Sequence, residues 1–186
     1  MKKLKSIKGI PLSYIKSILK IDLSTKTGLT WLLRPTAPKQ WNIRYANKPA
    51  GYECTNQNGY RKLELKITYN DKTKNFLASR VIFFLHNGYL TTNMEVDHID
   101  NNSLNNNPDN LRECTHSQNS HNSKLRKNNT SGHKNVLWCK KRKKWLVQIE
   151  SNCKIHYFGY YANKEDAIKA SIVARKKLHG DFGRIE

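Results

Sequence analysis

Asp97, His98, Asn110 and Asn119 bring a carboxylate, an imidazole and two amides into one short stretch of the chain. Asn110 follows His98 by 12 positions, and Asn119 follows Asn110 by 9. Carboxylate and amide oxygens suit a hard cation that keeps waters and accepts phosphate oxygens. A neutral imidazole near pH 7 can take a proton from water. Together these groups predict metal-assisted hydrolysis, although each one alone is better interpreted as a turn residue, a buried imidazole or a cap.

The same stretch is an acidic island in a strongly basic protein. The 186-residue chain has a formal net charge of +20, but residues 97–123 hold one basic and four acidic residues. Residues 124–186, in contrast, hold 16 basic and five acidic residues. So large a positive charge attracts polyanions, and nucleic acid is the expected partner. The island then fits oxygen ligands that hold a cation against a phosphate; the alternative is a solvated polar loop.

Composition limits the other classes of protein. Hydrophobic residues make up 37% of the chain, too few for one large core, yet the 10% aromatic residues exceed what a disordered chain holds. Two small folded modules are therefore expected. The four cysteines form no CxxC pair, so we expect no structural zinc. No stretch approaches membrane-spanning length, and we expect an intracellular protein that does not bind membranes.

The island itself divides into elements that could bring the functional groups together. In chain order we expect a strand ended by Asp97 and His98, a loop from Asn102 to Pro108, a strand from Asn110 to Cys114, and a helix capped by Thr115 or Ser117. The helix carries Asn119, with Asn122 as a reserve metal ligand. A strand, loop, strand and helix in this order would place Asp97, His98 and Asn119 together.

The segments upstream of the island predict a mixture of short elements. The patterns indicate an amphipathic helix from Leu12 to Leu19, short strands and turns between Gly28 and Gly59, a half-buried strand over residues 61–69, a polar turn from Asp71 to Asn75, and a buried helix from Phe76 to Leu85 that Gly88 ends.

The DHID, DNLR and THSQN segments, in this order and spacing, resemble the HNH endonucleases with the ββα-metal fold, particularly the phage and intron homing type. The resemblance implies that Asp97 and Asn119 ligate one divalent cation, Mg²⁺ or Mn²⁺. It further implies that His98 is the general base on the attacking water and that Asn110 holds the His98 loop and ring in position.

Three residues near the motif have less definite assignments. Similar phage proteins carry a His-Arg pair shortly before the DH motif, where this chain has Ser79 and Arg80. Arg80 is therefore expected to contact a phosphate or to serve packing. His116 and His121 remain secondary candidates, as helix-surface residues or phosphate contacts.

The C-terminal part of the chain predicts a small sheet and one long helix. The elements indicated are strands over Val136–Cys139, 145–150 and Ile155–Tyr161, and a helix that begins after Asn163 and ends before Gly180. Ala167, Ala170, Ala174 and Leu178 form a stripe of small residues that allows this helix to lie close on the sheet.

Residues 131–184 resemble the APETALA-type DNA-binding domain of plant ethylene-response factors and of phage HNH proteins, whose three-stranded sheet lies in the major groove. The resemblance implies phosphate contacts from the hairpin and base or sugar contacts from the strands. The residues concerned are Lys140, Lys141, Arg142, Lys143, Lys144, Gln148, Lys154 and Tyr157. The lysine run alone could also be a solvated turn, and Trp138 and Trp145 are better interpreted as packing residues.

The two resemblances predict an α+β protein in which a ββα-metal HNH module with a β-rich N-terminal extension precedes a three-stranded antiparallel sheet with a helix. The expected boundaries are 1–123 for the extension and nuclease domain, with the HNH motif at 96–123, 124–132 for a basic linker, and 133–186 for the DNA-binding domain.

The predicted function is a site-targeted, divalent-metal-dependent endonuclease of double-stranded DNA, of the nicking or homing type. We expect it to act as a monomer without a small-molecule cofactor, in the bacterial host cytoplasm if a phage encodes it. The alternative from another class is a DNA-binding regulator whose HNH module has lost activity. An RNA-binding protein is the third possibility.

Overall fold

The computed structural model describes residues 2–122, 125, 128–151 and 154–183. Contacts between residues divide the chain into two compact units, 1–115 and 116–186. The sequence predicts a boundary after residue 123 instead. Residues 123, 124, 126 and 127, at and within the predicted linker, lie outside the described residues. Cys153 also lies outside them. The architecture is α+β, with small antiparallel sheets and helices, as the sequence predicts.

The first unit begins with two short hairpins around a helix. Its elements are β1 (Ser6–Ile7), β2 (Ile10–Pro11), α1 (Leu12–Ile18), β3 (Leu19–Ile21), β4 (Leu29–Trp31) and α2 (Lys39–Tyr45). β1 pairs with β2 and β3 with β4, both antiparallel. Helix α1 confirms the amphipathic prediction, because Leu12, Ile15 and Ile18 all face the core.

Helix α2 contradicts the expectation of only strands and turns between Gly28 and Gly59. Pro38 precedes its first residue, and the helix buries none of its seven residues. A helix without a buried face leaves no apolar periodicity in the sequence, so the pattern could not reveal it.

A three-stranded sheet supplies much of the core of this unit. Its strands, in the order β5-β6-β7, are β5 (Tyr52–Thr55), β6 (Arg61–Tyr69) and β7 (Lys72–Leu77). β6 confirms the predicted alternation, since Leu63, Leu65 and Ile67 are buried. The polar turn expected at 71–75 is wrong: only Asn70 and Asp71 turn, both at positive φ, and the polar residues after them form an edge strand.

The last elements of the first unit are α3 (Ala78–Asn87), β8 (Glu95–His98) and β9 (Leu111–Cys114). Helix α3 buries Val81, Ile82 and Phe84, and Gly88 ends it in the left-handed conformation at φ 75°. β8 and β9 form an antiparallel pair that opposes Asp97 to Arg112 and His98 to Leu111. The two strands and the loop between them are where the sequence predicts them.

The second unit contains the remaining elements. They are α4 (His116–Asn122), β10 (Val136–Cys139), β11 (Lys144–Ser151), β12 (Lys154–Tyr161) and α5 (Lys164–His179). The strands form an antiparallel sheet in the order β10-β11-β12, with a bulge at Val147/Gln148. Helix α5 has acidic residues in its first turn and basic residues in its last, which suits the helix dipole. In the described part of the chain no helix is long and apolar enough to cross a membrane.

Candidate active site

Asp97 lies in β8 as a buried carboxylate, with 7% of its surface exposed. Arg112, directly opposite in β9, donates from Nε and Nη2 to its Oδ2 at 3.1 and 3.0 Å. A buried carboxylate needs such a partner, because desolvation otherwise disfavours its charge. This role of Arg112 was not predicted from the sequence, although the two predicted strands are the ones that pair Asp97 with Arg112.

His98, the next residue along β8, makes a different contact. Its Nε2 lies 3.0 Å from Oδ1 of Asn106. The Asn106 side chain is 5% exposed, and its Nδ2 donates to the carbonyl of Thr27 at 3.1 Å. Because Nδ2 is committed to a carbonyl, the oxygen of the amide must face the ring, and the ring nitrogen must donate. His98 is therefore protonated at Nε2, and Nδ1 is the basic nitrogen of the neutral ring.

Asn110 holds the loop between the two strands. Its Oδ1 accepts from the N–H of Asp100 at 3.0 Å, while its Nδ2 donates to Asp100 Oδ1 and to the Asn105 carbonyl, each at 2.9 Å. Its carbonyl accepts from the N–H of Ile99. These contacts fix the backbone that follows His98, whereas the ring itself is held by Asn106.

The loop stabilises a second carboxylate, Asp100. Burial opposes its ionisation, but hydrogen bonds from Asn105, the Asn102 N–H and Asn110 outweigh it and lower the pKa of Asp100. Cys114 shows the reverse effect: burial, followed by the charges of Asp97 and Glu95, raises the pKa of its thiol to about 11. The buried Cys114 thiol also lies 3.8 Å from the Glu95 carbonyl, so Cys114 packs within the hairpin and is not a nucleophile at neutral pH.

Asn119 and Asn122 both lie on α4, in the second unit. Asn119 is half-buried, whereas Asn122 is 4% exposed. Asp97, His98 and Asn110 thus share one unit, and the convergence of Asn119 on Asp97 stays a prediction.

Arg80 of α3 belongs to the support of β8. Its Nη1 donates to the carbonyl of Met94, the residue before the strand, at 3.0 Å. This contact fits the packing role that was one of the two alternatives for Arg80. A phosphate contact by Arg80 stays a prediction.

The donor chemistry of the predicted site suits a hard cation. A carboxylate and an amide are oxygen donors of the kind that Mg²⁺ and Mn²⁺ take, and such ions usually keep several waters. Within the described residues no three His, Cys, Asp or Glu side chains lie together. Asp97 is the carboxylate among the predicted ligands, and Arg112 donates to its Oδ2.

The sheet of the second unit has one covered and one open face. Val136 and Val147 pack with Ala167 of α5 on the covered face. Gln148 and Tyr157 oppose each other across β11 and β12, and Tyr157 is 68% exposed. Because Gln148 lies between two buried residues of its strand, its side chain belongs to the open face.

The predicted phosphate contacts surround this open face. Lys140, Lys141, Arg142, Lys143 and Lys144 are all exposed, in the turn between β10 and β11 and the first position of β11, and Lys154 is exposed at the start of β12. The Arg142 guanidinium lies 4.6 Å from the ring centroid of Tyr160, a cation–π contact. Trp145 packs against the core and Trp138 lies edge-on to it, as the packing interpretation expects.

A stacked histidine pair joins α4 to the end of α5 inside the second unit. The ring centroids of His121 and His179 lie 3.6 Å apart. Burial, then the neighbouring His121, lowers the pKa of His179 to about 4, and burial also lowers the pKa of His121. His121 is thus part of a packing contact, which no local sequence pattern indicates because the two histidines are 58 positions apart.

Comparison with known proteins finds a family match for one segment of the chain. Residues 76–121 match the HNH endonuclease family, and this range includes Asp97, His98, Asn110 and Asn119. The chain therefore carries an HNH endonuclease domain, which indicates nuclease activity in general terms and DNA as its substrate. No solved structure matches the chain.

The chain is also 38% identical to Protein 3.8 of Escherichia phage T7 over 103 residues, which cover 53% of this chain and 80% of that protein. It belongs to the family of that phage protein. The family match ends at residue 121, so the APETALA-type assignment of the C-terminal domain remains a prediction.

Proposed function

We propose that this protein is a site-targeted, divalent-metal-dependent DNA endonuclease of the nicking or homing type. The observation that carries the proposal is the fixed tautomer of His98, next to a buried carboxylate, in a matched HNH endonuclease domain. Nuclease chemistry needs a base for the attacking water and a site for the phosphate charge.

His98 acts as the general base through Nδ1. The Asn106 oxygen accepts the Nε2 proton, so the neutral ring offers Nδ1 to water. Asn106 also orients the ring, because its own amide is anchored on the Thr27 carbonyl. Asn110 keeps the loop that carries Asn106 in register with β8.

Asp97 and Asn119 would hold the metal. When bound, the cation supplies Lewis-acid stabilisation of the charge on the phosphate and on the leaving oxygen. Asp97 would contribute the buried carboxylate of β8 and Asn119 the amide of α4, as the HNH resemblance implies. Arg112 holds the Asp97 carboxylate in place.

The C-terminal domain supplies the targeting. Residues 133–186 would place the open face of their sheet in the major groove, with Gln148 and Tyr157 against bases or sugars. The exposed Lys140–Lys144 run would neutralise phosphates. In this scheme residues 1–123 cut, residues 124–132 connect, and the enzyme works as a monomer in the host cytoplasm.

A second function is favoured by one specific contact. Arg112 already neutralises the Asp97 carboxylate, as it would in an HNH-derived DNA-binding regulator that no longer cuts. The two functions share the DNA-binding surface and differ only in whether Asp97 still takes a cation.

Cleavage of supercoiled plasmid in Mg²⁺ or Mn²⁺ distinguishes the two. We expect nicked circles from the wild type, none from His98→Ala, and equal gel-shift affinity for both proteins. The exposed His86→Ala, also within the matched domain, is the control and should cut normally. Intact plasmid with the wild type in either metal, with DNA binding retained, would favour the regulator.

A further inference from the structure

The first unit contains an aromatic pocket that the nuclease site does not use. The pocket has a volume of about 470 Å³, within the usual range for small-ligand sites. Ile18 and Ile67, both buried, and the 9% exposed Trp31 form its apolar lining. All the residues that line it lie between positions 18 and 68, so the pocket belongs to one compact unit.

The exposed side of this pocket consists of aromatic rings. Trp41 lies edge-on to Trp31, with ring centroids 5.6 Å apart, and tilted against Tyr45 at 5.3 Å. Tyr45 is 37% exposed and Tyr52, across the pocket lining, is 40% exposed. Large rings left in contact with water at the mouth of a cavity are a surface on which a flat apolar ligand gains stacking energy.

Cations accompany the rings. The Arg34 guanidinium lies 4.6 Å from the Trp41 ring centroid, and the exposed Lys66 also lines the pocket. The backbone of Arg34 is tied to the amide of Asn42 of α2 by two hydrogen bonds, which hold the cation above α2. The pocket therefore offers stacking rings and positive charge to the same ligand.

We propose that this pocket binds one unstacked nucleotide of a DNA strand, with the base against Trp41 and Tyr52 and its phosphate near Arg34 or Lys66. Rings that stack on a base, combined with cations that follow the backbone, are the general means of binding single-stranded nucleic acid. The net charge of +20 and the HNH domain favour a nucleic-acid ligand over the other ligand that an aromatic groove takes, a proline-rich peptide.

The nucleotide must be unpaired. Bases in a duplex are stacked on both neighbours and present only their edges in the grooves, so none can place its face against the pocket rings without leaving the stack. This inference rests on the proposed function, which supplies the DNA partner. It adds that the enzyme would prefer DNA with a bulge or a single-stranded segment.

Binding is measured by fluorescence anisotropy with the full chain and a chelator, so that no cleavage occurs. The probes are a paired duplex, the same duplex with one extra unpaired thymine, and a thymine oligonucleotide. We expect the wild type to bind the bulged duplex roughly tenfold more tightly than the paired one. Trp41→Ala and Tyr52→Ala should each lose this preference and keep their affinity for the paired duplex.

Tyr60→Ala, an exposed tyrosine outside the pocket, is the matched control and should keep the preference. Because Trp41 also packs on the core, circular dichroism checks that the Trp41→Ala variant is folded. If that variant unfolds, the Tyr52→Ala variant tests the proposal, because Tyr52 is more exposed. Competition with free thymidine monophosphate separates a mononucleotide site from a strand site: displacement at low concentration would indicate the free nucleotide and overturn the strand proposal.

Equal binding of bulged and paired duplex by the wild type, or a preference that survives in both pocket variants, would overturn the inference, as would displacement by an oligoproline peptide. The outcome is separable from that of the proposed function. If the nuclease proposal fails, no protein cuts plasmid but the bulge preference persists; if the pocket proposal fails, paired plasmid is still cut in a His98-dependent way.

Discussion

Asn106 decides which nitrogen of His98 carries the proton, so its removal tests the assignment of the base. In Asn106→Ala the ring loses its acceptor, and we expect a mixture of tautomers in the ¹⁵N spectrum of the imidazole. Plasmid cleavage should fall by roughly 10- to 100-fold, as for other groups that orient a functional side chain.

Asn107→Ala is the neighbouring control, because the Asn107 side chain caps the turn at Pro108–Asn110 instead of contacting the ring. It should leave the Nε2–H tautomer unchanged. A single unchanged tautomer in Asn106→Ala would contradict the role given to Asn106.

Of the residues that support the predicted site, the sequence predicted Asn110 but not Asn106 or Arg112. Asp97, His98 and Asn110 stand out by type and spacing, and the hairpin between them is as expected. Asn106 is one of three consecutive asparagines, and nothing in the run shows that this one is buried against Thr27, 79 residues away in sequence. Such a contact depends on tertiary packing, which a local sequence pattern does not indicate.

The β8–β9 hairpin places Arg112 and Asp97 in opposition, and this pair makes a prediction about stability. Arg112→Met leaves a buried carboxylate without its cation and should lower the free energy of unfolding by about 2–3 kcal/mol. This is less than the roughly 3–5 kcal/mol of a fully buried pair, because the Arg112 side chain is 17% exposed. Urea unfolding in a chelator measures the change.

If Asp97 holds the cation, Mn²⁺ should raise the melting temperature of Arg112→Met more than that of the wild type, since a ligand that binds only the folded state stabilises it. Lys62→Met is the control: it removes a more exposed ion pair with Glu64 and should cost below about 1 kcal/mol, without a response to metal. The same metal response in both variants would argue against Asp97 as a ligand.

The contact between α4 and the end of α5 predicts acid sensitivity. The pKa of His179 is about 4 in the folded protein, against 6.5 for an ordinary histidine, and that of His121 is also lowered. The unfolded chain therefore binds more protons between these values, so stability is complete above about pH 6.5 and falls as the pH decreases toward 4.

His179→Gln removes one member of the stacked pair, and the loss of melting temperature between pH 7 and pH 5 should be smaller than in the wild type. Thermal unfolding followed by circular dichroism gives both values. An identical loss in the two proteins would show that the histidine pair does not control the acid response.

Apolar periodicity predicts the helices and strands that have a buried face. Elements with a buried face, such as α1, β6 and β11, follow their apolar spacing. Helix α2 and strand β7 were missed, because α2 buries no residue and β7 exposes most of its side chains. An element that contributes little to a core leaves little hydrophobic signal.

For the whole molecule, the distribution of charge predicts how DNA affinity depends on salt. Arg142→Gln with Lys143→Gln removes two of the proposed phosphate contacts and should reduce the slope of log affinity against log salt by about 1.8. Tyr157→Ala should instead lower the preference for target over random DNA and leave the slope unchanged. Gel shifts at several salt concentrations measure both; an unaltered slope in the double variant would remove the hairpin from the interface.

The unevenness of charge and the change in composition indicated two modules, and two compact units are present. The predicted boundary after residue 123 stays a prediction: by its contacts helix α4 groups with the second unit, although the HNH motif that contains it begins in the first. Composition can mark a basic segment, but only tertiary contacts decide to which core a helix belongs.

Mapping the DNA ends produced from a plasmid library in Mg²⁺ tests the central claim most directly, because it reports cutting and targeting together. We predict ends clustered at a recurrent sequence with the wild type, no ends above background with His98→Ala, and unclustered ends with Gln148→Ala combined with Tyr157→Ala. The absence of new ends with the wild type, or an unchanged set of ends with His98→Ala, would contradict the account.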